Sequence, residues 1–218
     1  MITKIFVIFY ISLMLMACAN KTIEQQISIK DADRIKKYNE LDNLKEGIWY
    51  VDKWKDYAKK ICDDSGGFDC SVLGEIYHDR FYGYDSKENR QEAITLLEKS
   101  CEMQDSRSCL KLAIFSSYSD IPIANSKDLF KKAYDIASDK CSNQYIFDCM
   151  TLAMIYFEGY ATFERNRKTS KNLASYSCDN GYAWACAFLA NNANNNQELR
   201  DSHKKACELG IKAFCFFN

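Results

Sequence analysis

The sequence predicts an all-α fold, a solenoid of stacked helical hairpins, and three observations predict it. Cysteines recur in pairs with seven residues between them: Cys62/Cys70, Cys101/Cys109, Cys141/Cys149, Cys178/Cys186 and Cys207/Cys215. The first cysteines of the pairs are spaced by 39, 40, 37 and 29 residues, a period of stacked helical hairpins. Residues after each second cysteine repeat at helical spacing. Leu73-Gly74, Leu112-Ala113, Leu152-Ala153 and Leu189-Ala190 follow it by three and four, and Ile76, Phe115 and Ile155 by six. Positions i, i+3 and i+4 share one helix face, and a small residue there lets a second helix backbone approach closely.

Composition agrees. Of 218 residues 47% are hydrophobic, enough for a packed core, and a single proline with 8 glycines disfavours a turn-rich β architecture. The net charge of −1 comes with no basic stripe, so nucleic acid is not an expected partner. Short runs such as Lys59-Lys60 and Lys131-Lys132 read as solvated helix faces.

Residues 1–17 stand apart. Lys4 precedes an apolar run, Ile5 to Met16, too short to span a bilayer comfortably but suited to a signal-peptide core. The run ends in Leu15-Met16-Ala17-Cys18, which resembles the bacterial lipobox. That resemblance implies cleavage before Cys18, acylation of Cys18, and, with Ala at position 19, an outer-membrane lipoprotein facing the periplasm. The alternative is a soluble secreted or periplasmic protein cut near Ala17 or Ala19. Residues 18–30 are polar and read as a lipid-attached tether, and 31–218 as the repeat domain. Export places the ten remaining cysteines where disulfides persist. Zinc is disfavoured, because structural sites use two to four residues between ligands and His78 and His203 lie outside any such pattern.

Along the domain, helices are expected over Asp33 to Lys45 and Trp49 to Cys62, broken at Gly47. Each unit then reads as helix A, a loop, helix B, and a short connection to the next helix A. Five residues before the first cysteine stand Tyr57, Leu96, Ile136, Leu173 and Ser202, and four before it Ala58, Leu97, Ala137, Ala174 and His203. Ten cysteines allow hundreds of pairings. The local pairing within each repeat is expected, because the spacing recurs and cysteines facing each other across a tight turn can meet the Cα separation of about 5.5–6 Å. Closing each such loop constrains the unfolded chain by ~2.5 kcal/mol. The last unit is shorter, and its Asn191–Asn196 run is expected to replace helix turns with a loop. Phe216-Phe217 near the end either tuck onto the last hairpin or mark a contact.

The unit Cys70-x-x-Leu73-Gly74-x-x-Tyr77, Tyr82-Gly83-x-Asp85, Ala93-x-x-x-Leu97-x-Lys99-Ser100-Cys101 resembles a Sel1-like repeat, which is TPR-like. Its cysteine spacing is that of the disulfide-rich branch, the Helicobacter cysteine-rich protein family. The likeness covers roughly residues 48–218. Repeat two departs from it at Ser116, repeat three keeps Tyr156 and Gly159, and repeat four keeps little beyond the cysteines, Leu189-Ala190 and Lys205-Ala206. The resemblance implies a right-handed α/α superhelix (solenoid) whose concave side binds other molecules. It also implies two functional associations: penicillin binding with slow β-lactamase activity, and envelope lipoproteins that act as immunity or adaptor proteins.

For the enzyme, Ser202-His203-Lys204-Lys205 is the one Ser-x-x-Lys, without the Ser-Asp-Asn and Lys-Thr-Gly that a serine β-lactamase needs. Ser202 occupies a core position of the repeat, and His203 lies in the same apolar seam. No catalytic residue, metal site or cofactor is therefore assigned. For binding, positions one, five and eight after the second cysteine are free of the repeat rule. They read Ser71, Glu75, His78; Leu110, Ile114, Ser117; and Met150, Met154, Phe157. Mixed polar and large apolar groups suit a protein partner, while the apolar ones also suit packing between helices. Trp184 and the Phe81–Tyr84 cluster are further surface candidates. The expectation is a monomeric, membrane-tethered scaffold that binds another protein, in concrete form an immunity protein against a periplasm-delivered toxin.

Overall fold

The structure, a computed structural model, describes residues 32–36, 39, 62, 70, 74, 87–117, 123–160 and 163–217. The expected signal peptide, Cys18, the tether, the break at Gly47 and the Phe81–Tyr84 cluster lie outside these residues. The described chain is helical throughout its elements: α1 (Lys87–Glu102), α2 (Ser106–Phe115), α3 (Ser126–Ser142), α4 (Ile146–Glu158), α5 (Arg167–Asp179), α6 (Ala183–Asn191), α7 (Asn196–Glu208) and a terminal 3-10 helix (Lys212–Phe217). Each helix packs on the next, and α2 also meets α4, so the hairpins form a stack.

Among the described residues, the turns after Cys101, Cys141, Cys178 and Cys207 are built the same way. The residue three after the first cysteine has a left-handed backbone: Gln104 and Gln144 at φ 65, Gly181 at φ 94 and Gly210 at φ 108. Its N–H donates to the cysteine carbonyl, and the next N–H reaches back five residues, as in Asp105 N to Ser100 O at 3.1 Å and Tyr182 N to Ser177 O at 3.1 Å. This is the Schellman closure, which satisfies helix-end carbonyls left without partners. Reversal at that point brings the second cysteine over the first. All five expected disulfides form, Cys62–Cys70, Cys101–Cys109, Cys141–Cys149, Cys178–Cys186 and Cys207–Cys215, with Cα separations of 4.6–4.9 Å. A lysine ending helix B then reaches the preceding turn: Lys99 Nζ donates to Cys62 O, Lys140 Nζ to Gln104 O, and Lys205 pairs with Asp179.

The repeat framework is the core. Leu112, Ala113, Phe115, Ala153 and Ile155 are buried, as are Leu97, Ile136, Ala137 and Ala174 on the B helices. At Gly74, an added Cβ would stand 2.8 Å from Leu97 Cγ, so close approach is what the small residue allows. One apolar cluster joins α1 to α4 and a second joins α4 to α7, and Met154 packs against both. Stacking Phe130 on Tyr160 and Tyr134 on Phe163 closes the opposite end of the α3–α4 hairpin.

The last hairpin is shortened in two places. Helix α6 itself ends at Asn191, and the expected loop in the asparagine run is a tight turn over residues 192–195. Asn192 Nδ2 donates to Phe188 O behind it, and Asn195 Oδ1 caps α7 by accepting from Glu198 N. Beyond Cys207, Phe214 lies against His203, ring centroids 4.9 Å apart, whereas Phe216 is 86% exposed.

A left-handed backbone burdens any residue with a Cβ by about 1 kcal/mol. Gln144→Gly should therefore raise stability by about 0.5–1 kcal/mol. Gly181→Ala should lower it by a similar amount through φ alone, since its Cβ would meet no heavy atom within 4 Å. Urea unfolding of the oxidised protein reads both. Removing one clasp as Cys141→Ala/Cys149→Ala should cost about 2.5 kcal/mol in the same assay.

Candidate functional site at the hairpin starts

The functional candidates expected on the A helices divide between core and surface. Leu110 is fully buried and Met150 is 1% exposed, so these two do not lie on a variable surface and instead fill the core. The reason is that α2 and α4 are enclosed by neighbours on both sides, which turns the position after the second cysteine inward. Ile114, Met154 and Phe157 are half-buried, and Ser117 is exposed. Phe157 packs edge-on against Phe188 at 5.1 Å, with the Arg167 guanidinium 5.0 Å from its ring. Ser71, Glu75 and His78 lie outside the described residues. Ser202 is half-buried and Lys205 is engaged by Asp179.

The unusual chemistry is elsewhere, inside the disulfide turns. Counted from the first cysteine, the fourth to seventh residues are Asp105-Ser-Arg-Ser108, Tyr145-Ile-Phe-Asp148 and Tyr182-Ala-Trp-Ala185. They form the starts of α2, α4 and α6, so the stack brings them side by side along one edge. Residues in the same register meet across units: the Arg107 guanidinium lies 5.4 Å from the Phe147 ring and 5.3 Å from the Trp184 ring. Arg107 Nη1 also donates to Tyr182 Oη at 2.8 Å, and Tyr182 is fully buried against Phe147. A cation held over aromatic faces in a desolvated setting gains up to about 2 kcal/mol.

Two carboxylates sit in this edge. Asp105 caps α2, its Oδ1 accepting from Ser108 N at 2.8 Å. Asp148, in the first turn of α4, accepts from Ser106 Oγ at 2.6 Å through Oδ1. Between them reaches Arg34. Its Nη2 donates to Asp105 Oδ2 at 2.9 Å, its Nη1 lies 4.0 Å from Asp148 Oδ2, and its guanidinium is 5.1 Å from the Phe147 ring. At 4.0 Å the second contact is an attraction without a hydrogen bond, and Oδ2 of Asp148 accepts none among the described residues. Burial consequently pushes the Asp148 carboxyl from its ordinary 3.8 up to about 6 and Asp105 adds to this, against the pull of Arg34, Lys140 and the Ser106 hydroxyl.

Among the described residues no cluster of His, Cys, Asp and Glu could hold a metal ion, and no helix is long and apolar enough to cross a membrane.

The described chain is a disulfide-clasped α/α repeat protein. Two solved structures are similar to it. One is a Sel1 repeat protein from Oxalobacter formigenes, with a TM-score of 0.46 and 14% identity over 82% of this chain and 74% of that one. The other is a protective antigen of uropathogenic Escherichia coli strains displaying an SLR fold, with a TM-score of 0.44 and 16% identity over 82% of this chain and 42% of that one. No family model matches the sequence, and no curated protein matches it.

The raised Asp148 carboxyl ties stability to pH with a definite sign. Between 3.8 and about 6 the folded state binds the proton that the unfolded chain has released, so stability falls as pH rises through that window. The whole effect is about 3 kcal/mol at 1.36 kcal/mol per unit. Asp148→Asn keeps an oxygen for the Ser106 hydroxyl and carries no charge. Its urea midpoint should rise relative to the wild type as pH goes from 4 to 7.5, and parallel pH profiles would refute the assignment.

Proposed function

We propose that this protein is a non-catalytic protein-binding scaffold, an envelope lipoprotein whose hairpin-start edge holds a partner. The observation that carries this reading is the contrast within one repeat. Cysteines, buried leucines and small residues recur from unit to unit, while the turn residues on that edge change from Asp-Ser-Arg-Ser to Tyr-Ile-Phe-Asp to Tyr-Ala-Trp-Ala. A frame held constant while one edge differs by unit is how repeat proteins carry specificity, and on this edge Trp184 is half-buried while Arg107, Phe147 and Tyr182 are buried. Arginine and aromatic side chains, the groups enriched at protein interfaces, take five of these twelve positions, Arg107, Tyr145, Phe147, Tyr182 and Trp184.

The five disulfides support an extracytoplasmic setting, because reducing compartments do not preserve them. The Leu15-Met16-Ala17-Cys18 sequence supports anchoring by an acylated Cys18 in the outer membrane, facing the periplasm. The concrete form of this reading is an immunity-type lipoprotein of the cysteine-rich Sel1-like kind, one that occludes a toxin delivered to the periplasm.

Two measurements test it. Cys18→Ser should move the protein from the membrane pellet to the soluble fraction and remove the acyl mass from its amino-terminal peptide. Trp184→Ala, with its helical content and unfolding transition preserved, should reduce capture of a defined partner from envelope extract at least tenfold. Undiminished capture would move the interface off this edge.

A further inference from the structure

The edge already holds a peptide segment of this chain. Residues 32–36 and 39 are helical, and three of their side chains engage three successive units. Arg34 reaches Asp105 of α2 and faces Asp148 of α4. Ile35, 6% exposed, enters the apolar cluster of Phe147, Met150 and Tyr182. Asn39 spans the start of α6, where its Nδ2 donates to Gly181 O at 3.0 Å and its Oδ1 accepts from Ala183 N at 3.1 Å. Ile35 and Asn39 are four apart and share a helix face, with Arg34 beside them.

Each contact answers a need of the groove. The first N–H groups of a helix have no partner within it, and Tyr182 makes no side-chain cap on α6, so the Asn39 amide supplies that cap from another part of the sequence. Asp105 and Asp148 are 3% and 0% exposed, and carboxylates so buried call for a cation. The Phe147 ring gives that cation a face to lie on. Recognition is therefore carried by side chains: a guanidinium fork, a branched apolar plug and a bidentate amide.

Resting on the protein-binding reading, we propose that the groove across the starts of α2, α4 and α6 docks a helical segment of a partner protein. That segment presents an arginine, a branched apolar residue next to it, and a side-chain amide four residues beyond the apolar one. Residues 32–36 and 39 hold the groove as an intramolecular stand-in that this segment displaces. Charge complementarity selects the partner, since two buried carboxylates reject an acidic segment as strongly as they accept a basic one. A tethered competitor lowers apparent affinity by the fraction of time the groove is open, so weakening the competitor strengthens binding in trans.

The test uses the full chain and a labelled synthetic peptide of residues 31–40. The peptide should bind Arg34→Ala/Asn39→Ala protein at least tenfold more tightly than wild type, and a peptide with alanine in place of its arginine should lose at least tenfold on the variant. Equal affinity for both proteins, or undiminished binding of the alanine peptide, overturns the proposal. Should the double variant fold poorly, hydrogen exchange on wild-type protein decides. Saturating peptide should raise exchange at 32–39 while leaving α3 and α7 protected, and unchanged exchange there refutes displacement. If a partner from envelope extract binds wild type and variant alike without raising exchange at 32–39, docking in this groove fails while protein binding stands. If the peptide displaces the segment but no envelope protein is captured, the groove stands and the scaffold reading falls.

Discussion

Each unit depends on a helix-to-helix turn that is closed twice, by backbone hydrogen bonds and by sulfur. The left-handed residue at Gln104, Gln144, Gly181 or Gly210 reverses the chain, and that reversal is what brings two cysteines eight positions apart within bonding distance. The same reversal sets the angle at which helix B meets the next helix A. It also turns the fourth to seventh residues of the turn toward their counterparts in adjacent units. Core packing and the polar edge thus follow from one local geometry, and the lysines that end α1, α3 and α7 brace it from the next unit.

A stack of hairpins is ordinarily stabilised by contacts between neighbours. Residues 32–36 and 39 add something different, since Arg34 and Asn39 connect to positions 71 and 144 residues away along the chain. Three consecutive units are thereby held by one segment, and their relative placement becomes a property of the segment as well as of the hairpins. The polar groups under it are buried in a setting where partial satisfaction is costly. Asp148 shows that cost directly, with one oxygen bonded to Ser106 and the other facing Arg34 only at 4.0 Å.

Much of the fold was legible because its rules are local. Seven residues between cysteines, a leucine three further on and a small residue after it define a helix face whatever the rest of the chain does. The burial of Leu112, Ala113, Leu152 and Ala153 follows from that spacing alone. Leu110 and Met150 were harder to read, because whether the neighbouring position faces out depends on how many helices surround it, which periodicity within one helix does not record. The polar edge was hidden for a different reason. The helices after each second cysteine carry no sign of it, although aligning the turns themselves sets Arg107, Phe147 and Trp184 in one column. Arg34 and Asn39 leave no local pattern, as their partners lie in other repeats.

Every sulfur bridge spans only eight positions, so no covalent cross-link ties one unit to a distant one. Lengthening or shortening the gene by one whole period would carry in or out one complete pair and leave no orphan thiol. An array of this kind can change its number of units over evolutionary time without any rewiring of its oxidation chemistry. The segment bridging three units is the part that would have to be refitted when the count changes.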